Sequence, residues 1–131
     1  MTNFMVLSGH KVMPPPMRAL LADGPPLDGF LLPGHVSVIT GSDSWAFLAA
    51  DCRRSGVVTG FEPLDILMAI DLIARAVAAG EPRIMNEYGR VVTAGGNRVA
   101  QQLMAQVFEP AMAEWRGLGS LPDSGLALRA E

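Results

Sequence analysis

Three times between Phe4 and Gly80 the chain passes from a short apolar run, through a glycine-bearing exit, into a segment that begins like a helix. That order is the strongest constraint on its fold, because parallel neighbours in a sheet need a crossover connection and a helix usually supplies it. The first unit has Phe4-Met5-Val6-Leu7 as strand and Ser8-Gly9-His10 as exit. Pro14-Pro15-Pro16 then opens a helix that turns Met17, Leu20 and Leu21 inward before Asp23-Gly24-Pro25-Pro26 stops it. The second has Phe30-Leu31-Leu32 as strand, Pro33-Gly34-His35 as exit, and Ser42 or Asp43 as cap for a helix carrying Trp45, Leu48 and Ala49. The pattern assigns no shape to Val36 through Ile39. The third has Val57-Val58-Thr59, then Gly60-Phe61-Glu62, then Pro63 at the first helical position with Asp65 in the first turn. Ile66, Ile70, Ile73 and Val77 share one face of that helix, and Gly80 with Pro82 closes it.

Farther on, Arg83 to Val92 reads as irregular or strand-like, and Asn97 caps a fourth helix through Val99, Leu103, Met104 and Val107. The glycine-punctuated tail from Trp115 to Arg129 supplies one or two edge strands at most. The expected fold is α/β, a three-layer sandwich with a mainly parallel sheet of about four strands, with or without C-terminal edge strands. At 131 residues, 50% hydrophobic and 18% charged, the chain suits a single α/β domain over 1–131 with a real core.

A formal net charge of -3, with no run of Lys or Arg, argues against nucleic acid or an anionic membrane as partner. The longest apolar segment, Ile66 to Ala79, is interrupted by Asp71 and Arg75, so no membrane span is expected. The apolar stretch within Met1 to Met13 is too short for a signal-peptide core, and the expected location is cytoplasmic. Cys52 is the one cysteine, far short of the four ligands of an iron–sulfur cluster or structural zinc. Inside a predicted helix and followed by Arg53 and Arg54, it is either a packed thiol or one made more acidic by those cations.

Parallel strands would place all three exits on one rim, where ligands of open α/β sheets bind. His10, His35 and Glu62 would then share a site. Each also has an ordinary explanation: Glu62 as a helix cap, the histidines as hydrogen-bond partners of loop carbonyls. Recurrence at equivalent positions favours the shared site. Two histidines and a carboxylate are also the ligand set of some iron and zinc sites, although the spacing here matches no metal signature. The alternative function is therefore a small free-standing metal-binding or acid–base enzyme using His10, His35 and Glu62. Gly41-Ser42-Asp43-Ser44 reads as a plain helix cap.

The same segments resemble the second α/β domain of the HypD family of nickel–iron hydrogenase maturation factors. The likeness rests on Asn3-Phe4 with Ser8-Gly9-His10-Lys11, Pro33 through Gly41, Gly60-Phe61-Glu62-Pro63-Leu64-Asp65-Ile66-Leu67, and Asn86-Glu87-Tyr88-Gly89-Arg90-Val91-Val92. Gly95-Gly96-Asn97 and Glu114-Trp115-Arg116-Gly117-Leu118-Gly119 with Ser124-Gly125 extend it, so it runs from about Asn3 to Arg129. The resemblance implies a scaffold that joins a HypC-type chaperone, and on which the hydrogenase iron receives its cyanide and carbonyl ligands as an Fe(CN)2CO group. It implies that His10, Gly34, His35, Ser37, Gly60, Phe61, Glu62 and Asp65 line an interdomain cleft or partner surface, with no catalytic residue and no metal ligand among them. It also implies that the family's cysteine-bearing N-terminal domain and C-terminal 4Fe–4S region are absent here, so the chain carries no cofactor and is not a competent enzyme alone. Its partners would be the HypC-type chaperone and the remaining HypD domains. An open sheet edge before Asn3 would further invite a homodimer.

Overall fold

The computed structural model describes residues 3–130; Met1 and Thr2, the beginning of the leader segment considered above, and Glu131 lie outside the described residues. The chain divides into two compact units, one formed by residues 26–101 and the other by residues 1–25 with 102–131.

The unit of residues 26–101 is an α/β layer structure. Its strands β1 (Gly29–Pro33), β2 (Ser55–Thr59) and β3 (Ile84–Asn86) form a parallel sheet in the order β1-β2-β3. Gly29 pairs with Ser55 and Pro33 with Thr59, so β1 and β2 end level. All five residues of β2 are buried, as a central strand covered on both faces requires. Helix α2 (Gly34–Thr40) leaves β1 without a loop, filling the stretch from Val36 to Ile39 that sequence left unshaped. A single 3-10 turn (Ser42–Trp45) and the short helix α3 (Ala46–Ala50) follow, and Cys52 lies beyond α3 rather than inside a helix. Helix α4 (Pro63–Ala79) connects β2 to β3; Pro63 starts it, and Gly80 ends it in a left-handed conformation with φ 66°. The core gathers Leu32, Trp45, Leu48, Val57, Val58, Ala69, Ala76 and Val92.

The inward face of α4 differs from the expected one. Asp65, Ala69 and Ala76 are its buried residues, whereas Ile70 is 50% and Val77 41% exposed. Small side chains let the helix lie close to the sheet: Ile73 sits against Gly29, with no room between them for another carbon. The large apolar residues are displaced sideways.

In the other unit, α1 (Pro14–Ala22) forms where the triple proline predicts it, with Met17 buried but Leu20 exposed. Helix α5 (Arg98–Val107) begins in the first unit and ends in this one. The tail is a long antiparallel hairpin, β4 (Phe108–Trp115) with β5 (Gly119–Leu128), bulged between Ala111 and Ala113. Phe4 to Leu7 is not a strand. It is an exposed stretch outside any sheet, so the first of the three expected units lacks its β element. The sheet consequently has three parallel strands rather than about four, and a two-stranded hairpin accompanies it.

Candidate functional site

The carboxyl ends of β1 and β2 run directly into the first turns of α2 and toward α4, which brings Gly34, His35, Gly60, Phe61 and Glu62 to the same end of the sheet. The His35 and Phe61 rings meet at 5.1 Å between centroids, tilted by 44°. Both residues are exposed, Phe61 at 68%. Glu62 occupies the N-cap of α4, yet its side chain makes no capping hydrogen bond, and the residue is exposed. An exposed aromatic beside an imidazole and a carboxylate without a capping role is a surface suited to contact.

Beneath that surface lies a rigid frame that the sequence reading did not contain. Tyr88, on the segment after β3, presses against the backbone at both strand exits. A β-carbon at Gly34 would stand 2.7 Å from its ring, and one at Gly60 2.8 Å, while the latter would also collide with the Asp65 carboxylate. Only glycine permits this approach. Arg90 stacks on the Tyr88 ring, its guanidinium carbon 4.4 Å from the ring centroid. Its Nη2 donates to Asp65 Oδ1 at 2.9 Å and Oδ2 at 2.8 Å, and its Nη1 lies 3.6 Å from Glu87 Oε1. The two carboxylates are buried, with side-chain exposures of 9% and 5%. Thr59 Oγ1 donates to Glu87 Oε2 at 3.4 Å. Hydrogen bonding to Asp65 raises the Arg90 pKa above the ordinary arginine value. One half-exposed arginine thus faces two buried acids.

Ser37 is fully buried, and its hydroxyl donates to the Pro33 carbonyl and accepts from Trp45 Nε1, both at 2.9 Å. It braces the first turn of α2 from within. Asp65 likewise faces the frame and not the exterior.

His10 does not leave a strand of the parallel sheet. It belongs to the hairpin's unit, follows no strand, and is held by β5: its carbonyl accepts from the Leu126 amide, and its ring lies 5.1 Å from that of Phe108. The expectation that His10, like His35 and Glu62, follows a parallel strand is not met, because the segment from Phe4 to Leu7 joins no sheet. Among the described residues, no three His, Cys, Asp or Glu side chains are placed to hold a metal ion. The 4Fe–4S cluster implied by the resemblance calls for four thiolates, and the single half-buried Cys52 does not fit it. Among the described residues no helix is long and apolar enough to cross a membrane.

A second interlock fixes the loops behind the site. Gly41, at φ 83°, and Gly96, at φ 66°, lie backbone to backbone, and Gln101 Nε2 donates to the carbonyls of Ile39 at 2.7 Å and Gly95 at 2.8 Å. Asn97 Oδ1 caps α5 by accepting from the Ala100 amide at 3.0 Å.

Comparison with known proteins covers the same span. Residues 1–131 match the family model HypD, described as the hydrogenase formation hypA family. The chain is 44% identical over 132 residues to the hydrogenase maturation factor HypD of Rhodobacter capsulatus, covering 99% of this chain and 35% of that protein. It is 41% identical to the HypD of Azotobacter vinelandii, covering 97% of this chain and 35% of that protein. It is also 41% identical to the HypD of Escherichia coli, covering 96% and 34%. The chain thus spans about a third of the length of the curated relatives it matches. A family match over residues 1–131, together with overall identities of 41–44% to these relatives, means that this chain belongs to the HypD family.

Proposed function

We propose that the chain serves nickel–iron hydrogenase maturation as a scaffold domain of a HypC–HypD-type complex, the complex on which the Fe(CN)2CO group is assembled. The observation that carries this reading is the family match over residues 1–131. In this reading the iron group is cargo, held by thiolates outside this chain, since Cys52 alone cannot supply them. The chain is accordingly not a competent enzyme alone, and completes its role with the HypC-type chaperone and further HypD domains.

The work assigned to its own residues is recognition. His35, Phe61 and Glu62 form the contact surface, with Gly34 and Gly60 setting the path of the backbone beneath them and Asp65 and Ser37 holding that path. Exposed aromatic side chains on a fixed backbone lose little freedom on binding, which suits a docking surface better than a flexible loop would.

Titration calorimetry of the chain with a HypC-type chaperone tests this. Binding is expected, and Phe61→Ala, His35→Ala and Glu62→Gln should each weaken it, the aromatic truncation by tenfold or more at about 1–3 kcal/mol. Affinities unchanged from the parent's in all three variants, or no binding by the parent chain, would remove the proposal. Stoichiometric iron or zinc in the purified chain, lost in His35→Ala, would instead favour the metal-binding alternative.

A further inference from the structure

The outward side of α4 changes character along its length. At about 3.6 residues per turn, Leu64, Leu67, Met68, Asp71 and Arg75 fall on one side of the helix, away from the buried Asp65, Ala69 and Ala76. Toward the C-terminus that side suits water, with Arg75 Nε donating to Asp71 Oδ2 at 2.8 Å between two exposed side chains. Toward the N-terminus the same side is apolar, Leu64 being 66%, Leu67 64% and Met68 47% exposed. Phe61 stands just ahead of them in the chain, so the apolar strip runs on from the surface that His35 and Phe61 form. Large apolar side chains held together in water and bordered by charge mark a binding surface.

The end at which the strip begins is acidic. Glu62, Asp65 and Glu87 bring carboxylates there, and Arg90 is bonded to Asp65 and lies 3.6 Å from Glu87. Among the described residues no hydrogen bond or ion pair engages the Glu62 side chain. The acids outweigh the guanidinium by more than the roughly half positive charge at the start of a helix can offset. We propose that strip and acidic end together receive a basic amphipathic segment of the partner protein. Its apolar side chains would lie on Leu64, Leu67 and Met68, and a lysine or arginine would reach Glu62 across the exposed Phe61 ring, gaining from both the unpaired carboxylate and the ring face. A second copy of this chain, at net charge -3 and without a run of Lys or Arg, is poorly matched to that end. The inference rests on the maturation reading, and assigns to its HypC-type chaperone the chemistry of the segment that docks.

Titration calorimetry with a HypC-type chaperone at two salt concentrations reads both halves of the surface. Raising salt from about 50 to about 300 mM should weaken the parent complex several-fold, because the charge contact lies at an exposed rim. Glu62→Gln should bind more weakly at low salt and lose most of that dependence. Leu67→Ser should weaken binding about tenfold at either salt and keep the dependence, and Leu64→Ser repeats the measurement one turn earlier. Circular dichroism should show both serine variants folded, since the two leucines face water in the single chain. Arg75→Ala, on the same side of α4 beyond the strip, should bind like the parent. Binding that ignores salt overturns the inference, as does an affinity unchanged in both serine variants; in either case the chaperone still binds and the maturation reading stands. Absence of binding by the parent chain removes that reading and this inference with it. A parent chain that sediments alone as a dimer, and as a monomer after Leu67→Ser, also overturns the inference, because the strip would then belong to a second copy.

Discussion

Arg90 grips both oxygens of Asp65, Nη2 reaching Oδ1 at 2.9 Å and Oδ2 at 2.8 Å. The two ends of that pair differ in their access to water: the arginine side chain is 52% exposed and the aspartate 9%. Removing either end should therefore have unequal effects. Arg90→Ala strands a buried carboxylate, with Glu87 beside it, whereas Asp65→Asn leaves a cation that water can solvate. The melting temperature should fall further for Arg90→Ala than for Asp65→Asn, and calorimetry of the two variants checks the order. Because the arginine pKa is raised in the folded state, its contribution is fully present below the ordinary arginine value and is lost only as pH rises through the still higher folded value. Loss of the pair on mild alkaline titration would contradict that.

The contact of Tyr88 with Gly60 predicts that a single methyl is enough to disturb the frame. Gly60→Ala should destabilise the fold by about 1–3 kcal/mol through overpacking against the Tyr88 ring and the Asp65 carboxylate. Urea denaturation measures it. Unchanged stability would mean that the strand exit has slack the structure does not display.

Ser37 and Trp45 form a buried donor–acceptor pair, so their substitutions should not add. Ser37→Ala leaves the Trp45 N–H without its partner and should cost about 1–3 kcal/mol. Combined with Trp45→Phe, which removes the donor itself, the alanine should cost much less. A double-mutant cycle with no coupling would show that the 2.9 Å contact carries no stability.

At the start of α5, Asn97→Ala should cost about 1 kcal/mol, and Asn97→Asp should retain most of the cap. Hydrogen exchange at the Ala100 amide is the direct readout, with protection falling in the alanine variant and not in the aspartate one.

How much of this was legible in the sequence depended on whether a feature was set locally. Pro63 and Gly80 mark the ends of α4 because each acts through its own backbone torsion, and Asn97 marks α5 because its side chain reaches only three residues on. The face of α4 was not legible. Apolar periodicity weighs side chains by size, whereas α4 buries Ala69 and Ala76 and brings Ile73 against Gly29, a close approach to the sheet that small residues allow. Phe4 to Leu7 has a strand's composition, but composition cannot supply a neighbour to pair with. Of the hairpin, β5 lies in the tail where edge strands were expected, whereas β4 was hidden because Pro110 and the bulge after Ala111 break the alternation that announces a strand. At the site, the outward residues His35, Phe61 and Glu62 were readable from the strand exits. Tyr88 and Arg90 were not, because their roles exist only once β3 has been laid beside β2; their sole trace was a place in the Asn86–Val92 block that carries the family likeness.

Because Tyr88 bears on two bare α-carbons, what positions the outward side chains is independent of their identity. Residues 35, 61 and 62 can be exchanged for others while the peptide carrying them keeps its course, so the chemistry of the rim can vary without re-engineering the sheet underneath. Positions 34, 60 and 88 have no such liberty: a change at one of them shifts every residue that the rim displays.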